Sequence, residues 1–175
     1  MTMPPARAYG LALVLLGAGG AGLLLAYGLT WAVVDVSLLP GSDAAVSTAD
    51  VTGRELYPAA AASGWIALAS VAGIVATRSW GRSVVAGIGL LAGLAGMAGA
   101  VAFAVAPPDG ASRVSWLLAG LAGAVVAGAA AWTLARVRSW PVMGGRYERR
   151  AKARREISAW DAQDLGRDPT DDLVE

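Results

Sequence analysis

"VLLGAGGAGLLL", residues 14–25, decides how this chain folds. Gly17, Gly19 and Gly22 spell G-x-G-x-x-G directly after the apolar run "LALVLL". A dinucleotide-binding βαβ unit presents a strand, a glycine turn and a helix in that order, with an acid about 20 residues on, and Asp43 falls near that place. Context separates the two readings. A helix lying on a sheet keeps one face wet and carries charges at helical spacing, whereas the next charged residue here is Asp35. Neither a second strand nor a crossover follows. The glycines therefore read as small residues that let a neighbouring helix approach closely.

The distribution of charge extends that reading to the whole chain. Charged residues make up 15% of the 175 residues, against roughly 25% in soluble domains. Residues 8–34, 59–77, 83–106 and 114–135 carry no ionisable side chain besides the Tyr9 and Tyr27 phenols. A membrane-crossing helix needs about 20 mostly apolar residues. The sequence thus predicts an all-α membrane protein, a four-helix bundle with spans at about 8–34, 59–77, 83–106 and 114–136. The first run exceeds the core of a signal peptide, about 7–15 residues, and has only Arg7 nearby, so it is expected to be a retained span. Residues 1–140 form the membrane domain and 141–175 a charged tail.

Basic residues in short loops favour the cytoplasmic side. Arg54 and Arg113 lie on one side of the predicted bilayer. The other basic residues, Arg7, Arg78, Arg82 and those from Arg136 onward, lie on the opposite side. The expectation is a multi-pass plasma-membrane protein with both termini cytoplasmic and loop one, about 35–58, outside. In that loop, "WAVVDVSLL" and "AAVSTADVTG" flank "PGSD" and read as a short β-hairpin about a Pro-Gly turn. Trp31 sits where an interfacial anchor belongs, and Trp65, Trp80, Trp116, Trp132 and Trp140 lie near span ends, as interface belts do. Pro58 suits the first turn of span two. Pro107 and Pro108 stop span three, and Ser112 is placed to cap span four.

Chemistry is sparse. Histidine and cysteine are both absent, which removes the commonest general base and metal ligand, thiol catalysis and disulfides. The spans hold no ionisable group of the kind that marks proton relays or ion paths. Asp35, Asp43, Asp50 and Glu55 have oxygens for a hard cation, but their spacing matches no known binding loop. Neither enzyme activity nor a cofactor or metal is expected, and nothing points to nucleic acid, because the acidic chain end offsets the basic run and no folded reader accompanies it.

What remains is packing and the tail. Span three has Gly89-x-x-x-Gly93 and Gly96-x-x-x-Ala100. Span four has Gly120, Ala124 and Gly128, and span one Ala18 and Gly22. Small residues four apart let backbones meet, either inside the bundle or against a partner helix. Residues 146–165 are expected to form a charged helix, with Glu148–Lys152 and Lys152–Glu156 at favourable spacing. Arg146, Arg149, Arg150 and Lys152 would meet anionic headgroups. Ile157 and Trp160 share a narrow apolar stripe that a lipid surface or partner would order. "RDPTDDLVE" is expected to stay disordered, Pro169 blocking the helix.

"TGREL" (52–56), "MGGRYE" (143–148) and "SAWDAQDLGRDPTDD" (158–172) together resemble the tryptophan-associated transmembrane proteins of actinobacteria. In the tail, Trp160, Asp161, Asp164, Gly166, Asp168, Pro169 and Thr170 agree with that family's pattern, while Gln163, Leu165 and Arg167 depart from it. The resemblance implies a four-span layout, genes often beside those of tryptophan biosynthesis, and no catalytic residues. Two functions follow as expectations. One is a non-enzymatic accessory or scaffold protein docking a homo- or hetero-oligomeric partner in or at the membrane. The other is a small uncoupled transporter or channel component, for instance for an aromatic metabolite.

Overall fold

A computed structural model of the chain describes residues 4–36, 47–77 and 80–137. The element order is α1 (Pro5–Gly28), β1 (Thr30–Val36), β2 (Ser47–Thr52), α2 (Gly53–Leu56), α3 (Pro58–Ala76), α4 (Trp80–Val105) and α5 (Arg113–Arg136). Four of these helices are long and apolar enough to cross a membrane. They form a ring in which α1 packs on α3 and α5, and α4 packs on the same two. The hairpin between α1 and α3 and the short connections after α3 and α4 place consecutive long helices side by side and antiparallel. β1 and β2 pair antiparallel at the end of the bundle where α1 stops and α3 begins, here called the hairpin end. The tail lies outside the described residues, and with it the expected helix at 146–165.

The glycines of the opening stretch are helical, and they are contact points. A side chain on Gly19 would press on Val126 of α5 at 2.7 Å, and one on Gly20 would reach Gly64 O of α3 at 3.2 Å. On Gly22 it would meet Ala122 of α5 at 3.2 Å. The resemblance to a nucleotide loop is thus a helix face shared between two neighbours. Between α4 and α5 the main chains themselves meet, and a Cβ on Gly93 would lie 2.5 Å from Ala127 N and 2.9 Å from Gly123 O. Here backbone packs on backbone, which gains dispersion contacts that lipid tails do not match.

Hydroxyls inside the helices bond to their own turns. Ser63 donates to Ala60 O (2.6 Å), Ser70 to Ile66 O (2.8 Å) and Thr133 to Ala129 O (2.8 Å). Such back-bonding satisfies a polar group where no water is at hand.

Two boundaries differ from the sequence reading. α1 ends at Gly28 rather than near residue 34, because the β-branched Thr30, Val33, Val34 and Val36 that follow pair with β2 and suit a strand better than a helix. α4 begins at Trp80, so Arg82 falls in its first turn, and there it is buried at 6% exposure. Its Nε–H donates to Ile74 O near the end of α3 (3.3 Å) and its guanidinium lies over the Tyr9 ring, 5.3 Å from the centroid. A cation on the last carbonyls of a helix is stabilised by the helix dipole. The span therefore does hold an ionisable group, compensated by α3 and by an aromatic face.

Candidate functional site

The hairpin end gathers the chemistry-bearing side chains. Thr30 faces Thr52 and Ala32 faces Val51, so Trp31 is an extra residue in β1 at an irregularity of the ladder. A bulge re-aims side chains that strict alternation would send to opposite faces. Trp31 and Ala32 are accordingly both buried, while the strand beyond them is exposed. Trp31 is 0% exposed. Its ring stacks on Tyr27 (4.9 Å between centroids), meets Phe103 edge-on (5.0 Å) and tilts against Tyr57 (6.0 Å). Its indole N–H donates to Ala26 O at 2.9 Å, in the last turn of α1, a carbonyl that also accepts the Leu29 N–H (3.3 Å). Tyr27 in turn donates its hydroxyl to Gly96 O of α4 at 2.6 Å. Trp31 is thus a plug and not the interfacial anchor that its position in the sequence suggested.

The free edge of β1 is covered by the α4–α5 connection. Ser112 N–H donates to Trp31 O (2.7 Å) and the Ser115 hydroxyl to Thr30 O (2.6 Å). Gly110 sits at φ +75°, and a side chain there would lie 2.9 Å from Val33 O, so the close approach requires glycine. Covering an edge removes a template for unwanted strand pairing. Ser112 does stand at the N-cap of α5, but its side chain makes no cap bond. Its hydroxyl lies 3.2 Å from the Ser115 oxygen instead and is the donor there, since the Ser115 proton goes to Thr30 O.

"TGREL" forms a single turn of helix. The Thr52 N–H (2.7 Å) and hydroxyl (3.0 Å) both donate to Glu55 Oε2, the reach-back of a capping box. These bonds, and then the neighbouring Arg54, hold the Glu55 carboxyl below the usual carboxylate range. Gly53 lies directly beneath the Trp31 indole, leaving no room for a Cβ. Arg54 is exposed, and its Nη2 would lie 3.3 Å from a side chain on Gly28, so the cation rests across the last turn of α1. Below it opens a cleft of about 300 Å³ between α1 and α3, lined by Leu24, Tyr27, Pro58, Ala61, Ala62 and Trp65.

The expected packing residues divide. Gly89 meets Ser70 at 3.4 Å, Gly93 meets α5, and Gly96 meets Leu23 and Ser63 at 2.8 Å. On α5 the stripe that faces α4 runs through Gly123 and Ala127. Gly120 has only Ala100 near it, at 3.7 Å, Ala124 is exposed, and Gly128 has open space around it. Arg146, Arg149, Arg150, Lys152, Ile157 and Trp160 lie outside the described residues. Asp35 and Asp50 lie on the hairpin strands and Glu55 is engaged by Thr52. Among the described residues no three acidic side chains converge on one point.

Sequence reasoning missed Arg54, Tyr27 and the role of Trp31. Thr52-x-x-Glu55 is a capping-box signature, and it was the signal available for α2. No comparable signal marks the bulge.

Comparison with curated proteins finds no match, and comparison with solved structures finds none either. A protein-family model does match, across residues 13–170, which takes in most of α1, the other three apolar helices, the hairpin strands and "TGREL". With four apolar helices in the structure and that match over most of its length, the chain belongs to the tryptophan-associated transmembrane protein family.

Proposed function

We propose that this membrane protein is a non-enzymatic accessory subunit that docks a partner helix in the plane of the membrane, with both termini cytoplasmic and the hairpin outside. The observation that carries this reading is the contrast between a closed interior and an open small-residue face. Around Gly93 the bundle is sealed backbone to backbone, and Ser63, Ser70 and Thr133 are committed to helix carbonyls. A solute path needs polar groups that face a lumen, and those hydroxyls face their own helices. Ala124 and Gly128 on α5 meanwhile turn outward, where a second helix can approach as closely as α4 does on the other side. The charge asymmetry supports the orientation.

The test is co-purification of the full chain from native membranes in mild detergent, beside Gly128→Leu. The expected result is a stoichiometric membrane partner held by the wild type and lost from the variant, with unchanged helicity and melting temperature. Recovery of a lone monomer overturns the proposal. So does tryptophan or indole flux through liposomes containing the chain alone, which would make it a transporter.

A further inference from the structure

The cleft beneath Arg54 is unused by that reading and has a chemistry of its own. Among the described residues, the Arg54 guanidinium has neither a hydrogen bond nor a salt bridge, and the acid next to it, Glu55, is engaged by Thr52. The cation is nonetheless placed, lying over the end of α1 at Gly28. The walls below are apolar. Leu24 and Tyr27 come from α1, and Pro58, Ala61, Ala62 and Trp65 come from α3. Ala61 and Ala62 are what open the trough, since larger residues there would fill it. Trp65 lies two turns into α3, roughly 10 Å along the axis from Pro58 at about 1.5 Å per residue. The residue is 68% exposed, which suits an interfacial indole.

We propose that this cleft binds one glycerophospholipid, with its phosphodiester on Arg54 and one acyl chain in the trough between Leu24 and Trp65. A guanidinium offers a planar fork that matches phosphate oxygens. A cation at the mouth of an apolar trough, at the end of a membrane-crossing helix, places charge and hydrocarbon in the order a phospholipid presents them. A free phosphate would leave the trough unfilled. The volume, about 300 Å³, is at the lower end of the range for small-molecule sites.

Native mass spectrometry of the full chain tests this, using micelles doped equally with phosphatidylglycerol, phosphatidylcholine and diacylglycerol of the same chains. The expected result is one phospholipid retained per chain over diacylglycerol. Arg54→Gln should lower that occupancy about tenfold, the scale of one charge-assisted hydrogen-bonded pair. Ala62→Trp, which fills the trough with Arg54 intact, should lower it too, and Arg113→Gln at the other side of the hairpin end should not. Far-ultraviolet circular dichroism confirms that each variant is folded. The proposal is overturned by wild-type occupancy in Arg54→Gln or in Ala62→Trp, or by equal retention of diacylglycerol. Displacement of the lipid by millimolar inorganic phosphate as readily as by short-chain phosphatidylglycerol also overturns it, leaving a bare anion site.

Discussion

At the level of Gly93, α4 and α5 meet through backbone atoms, whereas at the hairpin end the same ring of helices is closed by Trp31, Tyr27, Phe103 and Tyr57. The two regions solve one packing problem under different solvents. In the bilayer, lipid tails are as apolar as leucine, so a bulky side chain gains nothing by leaving lipid, and close approach of small residues supplies the attraction. At the hairpin end the chain emerges toward water, and burying large rings gains the full hydrophobic term and aromatic contacts as well. Hydrogen bonds follow the same division. Hydroxyls at mid-bundle bond within one helix, while Tyr27, Trp31, Ser112 and Ser115 join different elements.

The sharpest way to break this comparison is to empty the plug. Trp31→Ala should cost about 3–5 kcal/mol, the scale for a buried aromatic truncated to alanine. It should also abolish the near-ultraviolet circular dichroism of the stacked rings while leaving helix content nearly intact. Reversible unfolding in mixed micelles measures the first effect. A loss under about 1 kcal/mol, the usual scale of an ordinary substitution, would mean the hairpin is not held by this ring.

A pair of identical substitutions on opposite faces tests the mid-bundle. Gly93→Ala places a methyl against the Ala127 backbone and should destabilise by about 1–3 kcal/mol, as overpacking does. Gly128→Ala enters open space and should leave unfolding unchanged or raise stability slightly through helix propensity. Equal effects in the same unfolding assay would refute the assignment of faces on α5.

The smallest expected effect belongs to the capping box. Because the Glu55 carboxyl titrates below its ordinary value of about 4.3, its contribution is complete above that value. It is lost as pH falls through the lowered, folded-state value. Protection of the Thr52 amide against hydrogen exchange, corrected for intrinsic rate, should decline over that acid range. Glu55→Gln keeps an acceptor but has no charge to lose, so its profile should be flat. A variant profile as acid-sensitive as the wild type would remove Glu55 from this role.

Legibility followed the length scale of the cause. Four apolar runs and a polar stretch with a Pro-Gly turn were readable as four helices and a hairpin. "TGRE" is equally readable as a capping box, although Thr52 and Gly53 also close the β-prone run before it. The faces of α5 were not readable, because "LAGLAGAVVAGAAA" offers small residues on every side. Gly120, Ala124 and Gly128 have the same spacing as Gly123 and Ala127, and only the position of α4 distinguishes them. The cleft was hidden for a related reason. Arg54 and Trp65 are eleven positions apart, and α2 must turn before the two come to line one cavity.

By itself the sequence determined that this chain crosses a membrane four times as helices. That follows from a local rule, since about 20 apolar residues in hydrocarbon must satisfy every backbone N–H and C=O internally. Tertiary structure alone decided three things. The neighbours of the α1 glycines became α5 for Gly19 and Gly22 and α3 for Gly20. Trp31 turned inward through one extra residue in β1. Arg54 came to rest on the end of α1 above an open trough. Each depends on which helix stands next to which, and small-residue periodicity leaves that choice open because several faces of one helix satisfy it equally well.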